Sequence, residues 1–430
     1  MFNQTLINAL FVLSVVVIWF MLAYQFVLCL LGWLHGIRSE RERQQLEARP
    51  LDLPGVSVLI PAHNEAVVLE HTLAAMAALN YPKGRLEVIV INDASTDDTG
   101  AIAERWAARD PRLRVVHLSA AERAGGKSAA LNRGLRHARF EAIAVYDADN
   151  TPEPEALRHL ARQLTAHPEL GAVIGTFRCA NRRRNLLTRL INIEGLSYQW
   201  TVQAGRWMLL RICSLPGTNL ILRRSVIEAI GGWDTHALTE DAEMSIRIYE
   251  AGYQIKLVPY AVTWEQEPER LPTWFRQRTR WARGNNYLVA KHVPRLLSIR
   301  PRRLGIELLY ALGMYYVCFA AIALSDLLFL LCGLQLAGMT VPGPFWEVWL
   351  LALGLFVAEV MLALSHARGE DSLANLFLSA LAYFTYCQLW IPVVVKALFD
   401  DYILRKARTW AKTERFAVTP PLRACTAPRS

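Results

Sequence analysis

The hydrophobic pattern divides the chain into long unbroken apolar runs at both ends and a central stretch where apolar and polar positions change every few residues. From Met1 to Ile37 there is no Lys, Arg, Asp or Glu, and Leu6–Trp33 exceeds the roughly 20 residues needed to span hydrocarbon. A secretory leader would begin basic, carry a shorter apolar core and end on small residues, so this segment is expected to be a retained anchor. Further candidate spans follow Lys291, at about Ile306–Leu336, Phe345–Ser365 and Leu373–Leu398. Pro342-Gly343-Pro344 separates the first two, and His366–Asp371 separates the last two.

The period shortens in the middle. Val56–Ile60, Leu86–Ile91, Leu113–Leu118 and Ala142–Tyr146 are short runs that predict buried strands, while Ala66–Leu79, Thr99–Ala108, Ser128–Ala138 and Ala242–Ala251 predict helices. Strands alternating with helices imply an α/β domain with a Rossmann-like, mostly parallel sheet, whose ligands sit at the carboxyl ends of the strands. Asn64-Glu65, Asn92-Asp93 and Asp147-Ala148-Asp149 all follow strands. The expected organisation is an N-terminal transmembrane helix over 1–37, a basic linker over 38–53, a catalytic domain over 54–290, about three transmembrane helices over 291–400 and a basic tail over 401–430. The basic patch Asn181–Arg184 with Arg189, Ile191–Trp200 and the apolar Trp207–Leu210 suggest interfacial helices within the central domain, or else a buried core helix.

Charge then orients the chain. Mean hydropathy is +0.19, yet 20% of residues are charged, which fits a soluble domain joined to membrane helices. Arg38, Arg41, Arg43 and Arg49 after the first span, and Arg295, Arg300, Arg302 and Arg303 before the second, place the central domain in the cytoplasm as part of a multi-pass plasma-membrane protein. One span before the domain and three after it would leave the C-terminus outside, whereas Arg405, Lys406, Arg408, Lys412 and Arg415 point inside; either the first of the three hides an extra segment or one segment lies in the interface. The net charge of +9 sits largely beside spans, where it meets anionic headgroups, so no nucleic-acid partner is expected. The seven cysteines show no C-x-x-C spacing and imply neither a disulfide framework nor a zinc site. Asp326 and Glu359, inside predicted spans, should face a bundle interior, unless a span ends near them.

Four clusters carry candidate chemistry. Asp147 and Asp149, two apart at a strand end, can hold Mg²⁺ or Mn²⁺ against phosphate oxygens, although such a pair can also cap its own turn. Gly125-Gly126-Lys127-Ser128 lacks the first glycine of a P-loop, position 121 being Ala121, yet Lys127 at a helix start can meet a diphosphate. Asp241, after Thr239-Glu240, is a candidate general base for an acceptor hydroxyl; a simple N-cap at Thr239 or Asp241 is the plainer account. Gln277, Arg280 and Trp281 share one face of a helix, offering donors to phosphate and a flat surface to a sugar, unless the segment is only an amphipathic membrane-surface helix.

Taken in order, Pro61–Glu65, Asn92–Asp97, Gly125-Gly126-Lys127, Asp147-Ala148-Asp149, Pro216–Asn219, Thr239-Glu240-Asp241 and Gln277-x-x-Arg280-Trp281 resemble the processive membrane family 2 glycosyltransferases, which make cellulose, hyaluronan, chitin oligosaccharides and poly-N-acetylglucosamine. The resemblance covers roughly Val56 to Asn285. It implies a GT-A fold, a UDP-sugar donor and an inverting transfer that yields a β-linkage. Glu65 and Asp93 would contact uridine, and Lys127 the nucleotide or diphosphate. Asp149 with Asp147 would serve the metal, and Asp241 beside Glu240 the catalysis. Gln277, Arg280 and Trp281 would hold the diphosphate and the acceptor end, and Gly217, Thr218 and Asn219 would line the acceptor site. The segment after the last apolar run is too short for a fused cyclic-dinucleotide domain. The single N-terminal span leaves open whether one chain forms an export channel or needs an accessory membrane subunit.

Three functions follow from these features. The first is a polysaccharide synthase with UDP-N-acetylglucosamine as its expected donor. The second is a lipid glycosyltransferase adding a sugar to diacylglycerol or ceramide. The third is a non-catalytic membrane scaffold. The expected partners are the UDP-sugar donor, a polysaccharide or lipid acceptor, and membrane lipids.

Overall fold

The computed structural model describes residues 4–123, 125–336, 338, 340–341, 343–407 and 415–416. Eight strands form one sheet: β1 Val56–Ala62, β2 Leu86–Asp93, β3 Leu113–Leu118, β4 Ala142–Val145, β5 Thr151–Pro152, β6 Leu170–Cys179, β7 Leu220–Arg223 and β8 Gln254–Glu265. Their order is β3-β2-β1-β4-β7-β6-β8-β5. The first four are mutually parallel, and β2 is buried along its whole length. That is why β1, β2 and β4 read as continuous apolar runs: helices Leu69–Ala77, Thr99–Ala107 and Lys127–His137 pack on the parallel half, and only its edge strand β3 keeps exposed residues, Arg114 and His117.

Direction reverses at β4. β7 runs antiparallel to it, with Val145 opposite Leu220, and β6 also runs antiparallel to β7. The segment entering β7 therefore meets the carboxyl end of β4. The β1–β4 boundary is also where strand order switches, so the clefts of the parallel half and the turn before β7 open on one edge.

The 45-residue helix Gln4–Ala48 reaches about 67 Å at 1.5 Å per residue, longer than a bilayer core. Its far end is tied to the sheet, where Lys256 Nζ on β8 meets Glu42 Oε1 at 2.5 Å. At its other end Gln4 and Asn8 hydrogen-bond with Gly338 and Thr340. Among the described residues, four helices are long and apolar enough to cross a membrane: Gln4–Ala48, Arg302–Gly333, Glu347–Leu364 and Leu373–Ile403. The last is interrupted near Thr385–Tyr386. Both its flanks return to the α/β domain: Arg182 donates to Glu370 (2.8 Å), and Arg283 donates to Asp401 (2.8 Å).

Two expectations change here. Asp326 does not face a bundle interior. It is exposed, because its helix buries Ala321 and Leu328, and Asp326 lies on the other side of that turn pattern. Glu359 is half-buried, and its backbone carbonyl accepts from the Cys29 thiol. The region read as Ile191–Trp200 begins earlier, at Leu186, where Asn185 and Thr188 form a capping box. It continues through Leu210 with Trp200 and Trp207 buried.

Candidate active site

A cavity of about 250 Å³ opens at the carboxyl edge of the parallel strands. Glu65 follows β1, Asp93 ends β2, and Asp147 and Asp149 follow β4; all four line it. The first two loops are locked together. Asn64 N–H donates to Ser95 Oγ (3.0 Å), Glu65 N–H to Thr99 Oγ1 (2.7 Å), and His63 Nδ1 to the Asp93 carbonyl (2.7 Å).

Lys127 is the first residue of its helix, and its ammonium organises the centre. It lies 2.5 Å from Asp147 Oδ1 and 3.8 Å from Glu240 Oε1, and it donates to the Gly217 carbonyl (2.7 Å). Burial works against its charge, but the carboxylates of Asp147 and Glu240 prevail and hold its pKa above the ordinary value. Asp147 N–H donates to Thr218 Oγ1 (3.0 Å), so the turn before β7 is stitched to the end of β4.

Asp241 lies in the first turn of helix Glu240–Glu250. Its Oδ1 accepts from the Ala242 N–H (2.8 Å). Burial first, and the neighbouring Glu240 charge second, push its pKa up to about 7 against the pull of Lys127. A buried carboxyl poised near neutrality suits proton acceptance. Thr239 makes no side-chain cap to the helix, so the plainer reading of that threonine is not realised. Gly217, at φ +83°, passes so close that a Cβ there would stand 2.9 Å from Asp241 Oδ2.

The helix Leu271–His292 closes the cavity with Gln277, Arg280 and Trp281. It rests directly on the Thr239 loop, since a Cβ at Gly284 would meet Thr239 at 2.4 Å. Arg278 turns the opposite way and is buried. Its guanidinium meets Glu194 Oε2 at 2.5 Å and lies 3.9 Å from the Trp281 ring centroid. Tyr386 OH and Trp390 Nε1 donate to the same Glu194 carboxylate (2.7 and 2.9 Å). Trp274 is fully buried, so this helix is far more than a surface amphipath.

Gly217 and Thr218 line the cavity, but Asn219 does not. Asn219 is buried, with its amide donating to the Thr176 (3.0 Å) and Ala261 (2.9 Å) carbonyls. It braces β6 and β8 instead of facing an acceptor, because it stands in a left-handed bend, at φ +50°, just before β7, and that bend directs its amide into the sheet.

Three site residues had been passed over. Glu265 and Glu267 line the cavity beside Asp149; burial raises both, Glu267 to about 7. Their signal was present, as Glu265-x-Glu267 ends β8 with the same spacing as Asp147-x-Asp149. Arg415 Nη1 lies 2.9 Å from Asp149 Oδ2, and its residue type had been read only as a topology marker. Burial raises the Asp149 pKa, with Arg415 opposing it. Among the described residues no group of three or more His, Cys, Asp or Glu is arranged to hold a metal. Two carboxylates, Asp147 paired with the Lys127 ammonium and Asp149 with the Arg415 guanidinium, fit a hard cation that competes with these contacts and takes its remaining oxygens from a diphosphate.

An α/β sheet of this order, with acidic strand ends converging on one cavity, defines a GT-A glycosyltransferase. The family model described as "Glycosyltransferase like family 2" matches residues 54–284, and the chain belongs to that family. It is 42% identical over 412 residues to "Probable glycosyltransferase YdaM" of Bacillus subtilis (strain 168), covering 95% of this chain and 98% of that one. It is 29% identical over 268 residues to poly-β-1,6-N-acetyl-D-glucosamine synthase of Staphylococcus epidermidis, covering 62% of this chain and 61% of the synthase. Among solved structures, the mannosyltransferase PcManGT of Pyrobaculum calidifontis, in complex with GDP-Man and Mn²⁺, superposes with a TM-score of 0.52 at 25% sequence identity, covering 85% of this chain and 99% of that one.

Proposed function

We propose that this chain transfers a sugar, with inversion, from a UDP-sugar to the end of a growing β-linked polysaccharide, and that UDP-N-acetylglucosamine is the donor. The observation that carries the reading is the meeting of Lys127, Asp147, Asp149, Asp241, Gln277, Arg280 and Trp281 around one cavity. The similarity to poly-β-1,6-N-acetyl-D-glucosamine synthases supports the choice of sugar. Glu65 and Asp93 hold the nucleoside end. Lys127 and Arg280 present cationic groups to the diphosphate, and Asp241 takes the proton of the attacking hydroxyl. Trp281 stacks on the acceptor sugar, held in place by Arg278 behind it. Asp147 and Asp149 would hold Mg²⁺ or Mn²⁺, which supplies positive charge to the departing diphosphate.

The catalytic domain lies in the cytoplasm and the polymer leaves across the membrane. In this topology Gln4–Ala48, Arg302–Gly333 and Glu347–Leu364 cross the bilayer, while Leu373–Ile403 lies along its inner face. The contacts Glu370–Arg182 and Asp401–Arg283 support that arrangement, as do those joining Gln4 and Asn8 to Gly338 and Thr340 at the outer end. It also reconciles the odd number of crossings with the basic residues after Leu404.

Membranes containing the full chain are incubated with UDP-glucose, UDP-N-acetylglucosamine, UDP-galactose, UDP-glucuronate and GDP-mannose in turn. Nucleotide release specific to UDP-N-acetylglucosamine, with a long water-soluble product, is expected. Release with GDP-mannose alone overturns the donor, and a single organic-extractable glycolipid overturns the polymer.

A further inference from the structure

We propose that a second site, away from the catalytic cavity, binds the headgroup of an anionic phospholipid of the inner leaflet. The site is a groove of about 780 Å³ between the helix beginning at Leu186 and the helix beginning at Leu373. The inference rests on the membrane orientation proposed above.

Three independent features meet there. Among the described residues, two guanidiniums line the groove without a carboxylate partner: Arg183 is exposed with no contact of its own, and Arg189 donates to the neutral Asn375 Oδ1 (3.1 Å). The acid in the lining, Glu370, is already consumed by Arg182 (2.8 Å), Asn192 (3.1 Å) and Asn375 (3.0 Å), so it cannot neutralise them. Both flanking helices also begin at the groove, capped by Asn185 and Ser372. Their positive ends add to the same field.

The third feature is apolar. Leu186, Leu373 and Phe377 are 53%, 74% and 73% exposed on the flanks, a cost in water that acyl chains would remove. A basic notch that opens directly onto a greasy wall matches a phosphate carrying two chains. A soluble phosphate would have no use for Leu373 and Phe377, and an acidic protein surface would leave them bare. The site therefore fastens the segment Leu373–Ile403 to the bilayer surface, beside the domain it supports.

The full chain is reconstituted into nanodiscs of phosphatidylcholine containing phosphatidylglycerol, then released for native mass spectrometry to count retained phospholipids. Phosphatidylglycerol should be retained in preference to phosphatidylcholine. Retention should fall about fivefold in Arg183→Gln and further in Arg183→Gln/Arg189→Gln, with Arg136→Gln, on a distant helix, as the unchanged control. Arg183 is exposed and unbonded, so its single variant reports on binding even if the double variant folds poorly. Equal retention of the two lipids, or equal retention by Arg183→Gln and the wild type, overturns the proposal. Flotation with liposomes separates the two levels: a chain that fails to float refutes the membrane orientation, whereas one that floats without lipid preference refutes only this site.

Discussion

Replacing Glu240 by Gln should move the acid limb of the pH–rate profile to lower pH without removing activity at high pH. In the wild type Asp241 must be ionised to accept a proton. A folded-state pKa of about 7 therefore makes transfer rise with pH, from about a tenth of maximal near pH 6 to about nine-tenths near pH 8. Glu240 contributes to that value as a like charge, second to burial. Removing that like charge leaves burial as the cause that raises the group, and each 1.4 kcal/mol or so of lost repulsion displaces the limb by about one pH unit. Lys127, 3.8 Å from Glu240, already offsets part of this, so a displacement of about one unit is expected. The assay is initial-rate UDP release from UDP-N-acetylglucosamine between pH 5 and 9, analysed as kcat/KM. A flat profile in the wild type, or a limb that stays in place in Glu240→Gln, would refute the reasoning.

Asp241→Asn should keep nucleotide-sugar binding in a calorimetric titration while transfer drops about 10²–10⁴-fold; wild-type turnover would remove Asp241 from the base role. Glu194→Ala leaves the buried Arg278 guanidinium without its carboxylate and should cost about 3–5 kcal/mol of stability, seen as an earlier melting transition; an unshifted transition would mean the pair is not buried as described. Arg415→Ala should tighten Mn²⁺ binding about tenfold, measured by the free-ion signal in electron paramagnetic resonance, because the cation no longer displaces a charge-assisted contact on Asp149; an unchanged Kd would place the cation elsewhere.

The half of the site that sits on parallel strands was legible because its logic is local. An apolar run of strand length followed by a polar pair points to a carboxyl-edge ligand position, and Glu65, Asp93, Asp147 and Asp149 obey it. Helix periodicity likewise put Gln277, Arg280 and Trp281 on one face, where the structure keeps them. What escaped depends on which strands become neighbours. Glu265 and Glu267 reach the cavity only because β8 lies beside β6, and no local pattern states that pairing. Asn219 resembles an acceptor residue because it follows Gly217 and Thr218, yet the left-handed bend at its own backbone turns its side chain into the sheet. Arg415 arrives from a distant segment, and Glu194 is a carboxylate in an apolar helix whose purpose appears only when Arg278, Tyr386 and Trp390 surround it. The last apolar run is long enough to span hydrocarbon, and length alone does not tell crossing from lying flat; the proposal that it lies flat draws on the polar contacts at both of its ends.

The carboxylate of Glu194 gives the enzyme an unusual mechanical dependence. One oxygen pair holds the back of the helix that carries Trp281, and the same pair holds Tyr386 and Trp390 on the segment assigned to the bilayer surface. If that segment lies on the bilayer as proposed, lateral pressure on it would pass through Glu194 and Arg278 to the Trp281 ring, with no flexible loop between. Detergent extraction should therefore blunt turnover well before it melts the sheet, and bilayer thickness becomes a tuning variable for synthesis.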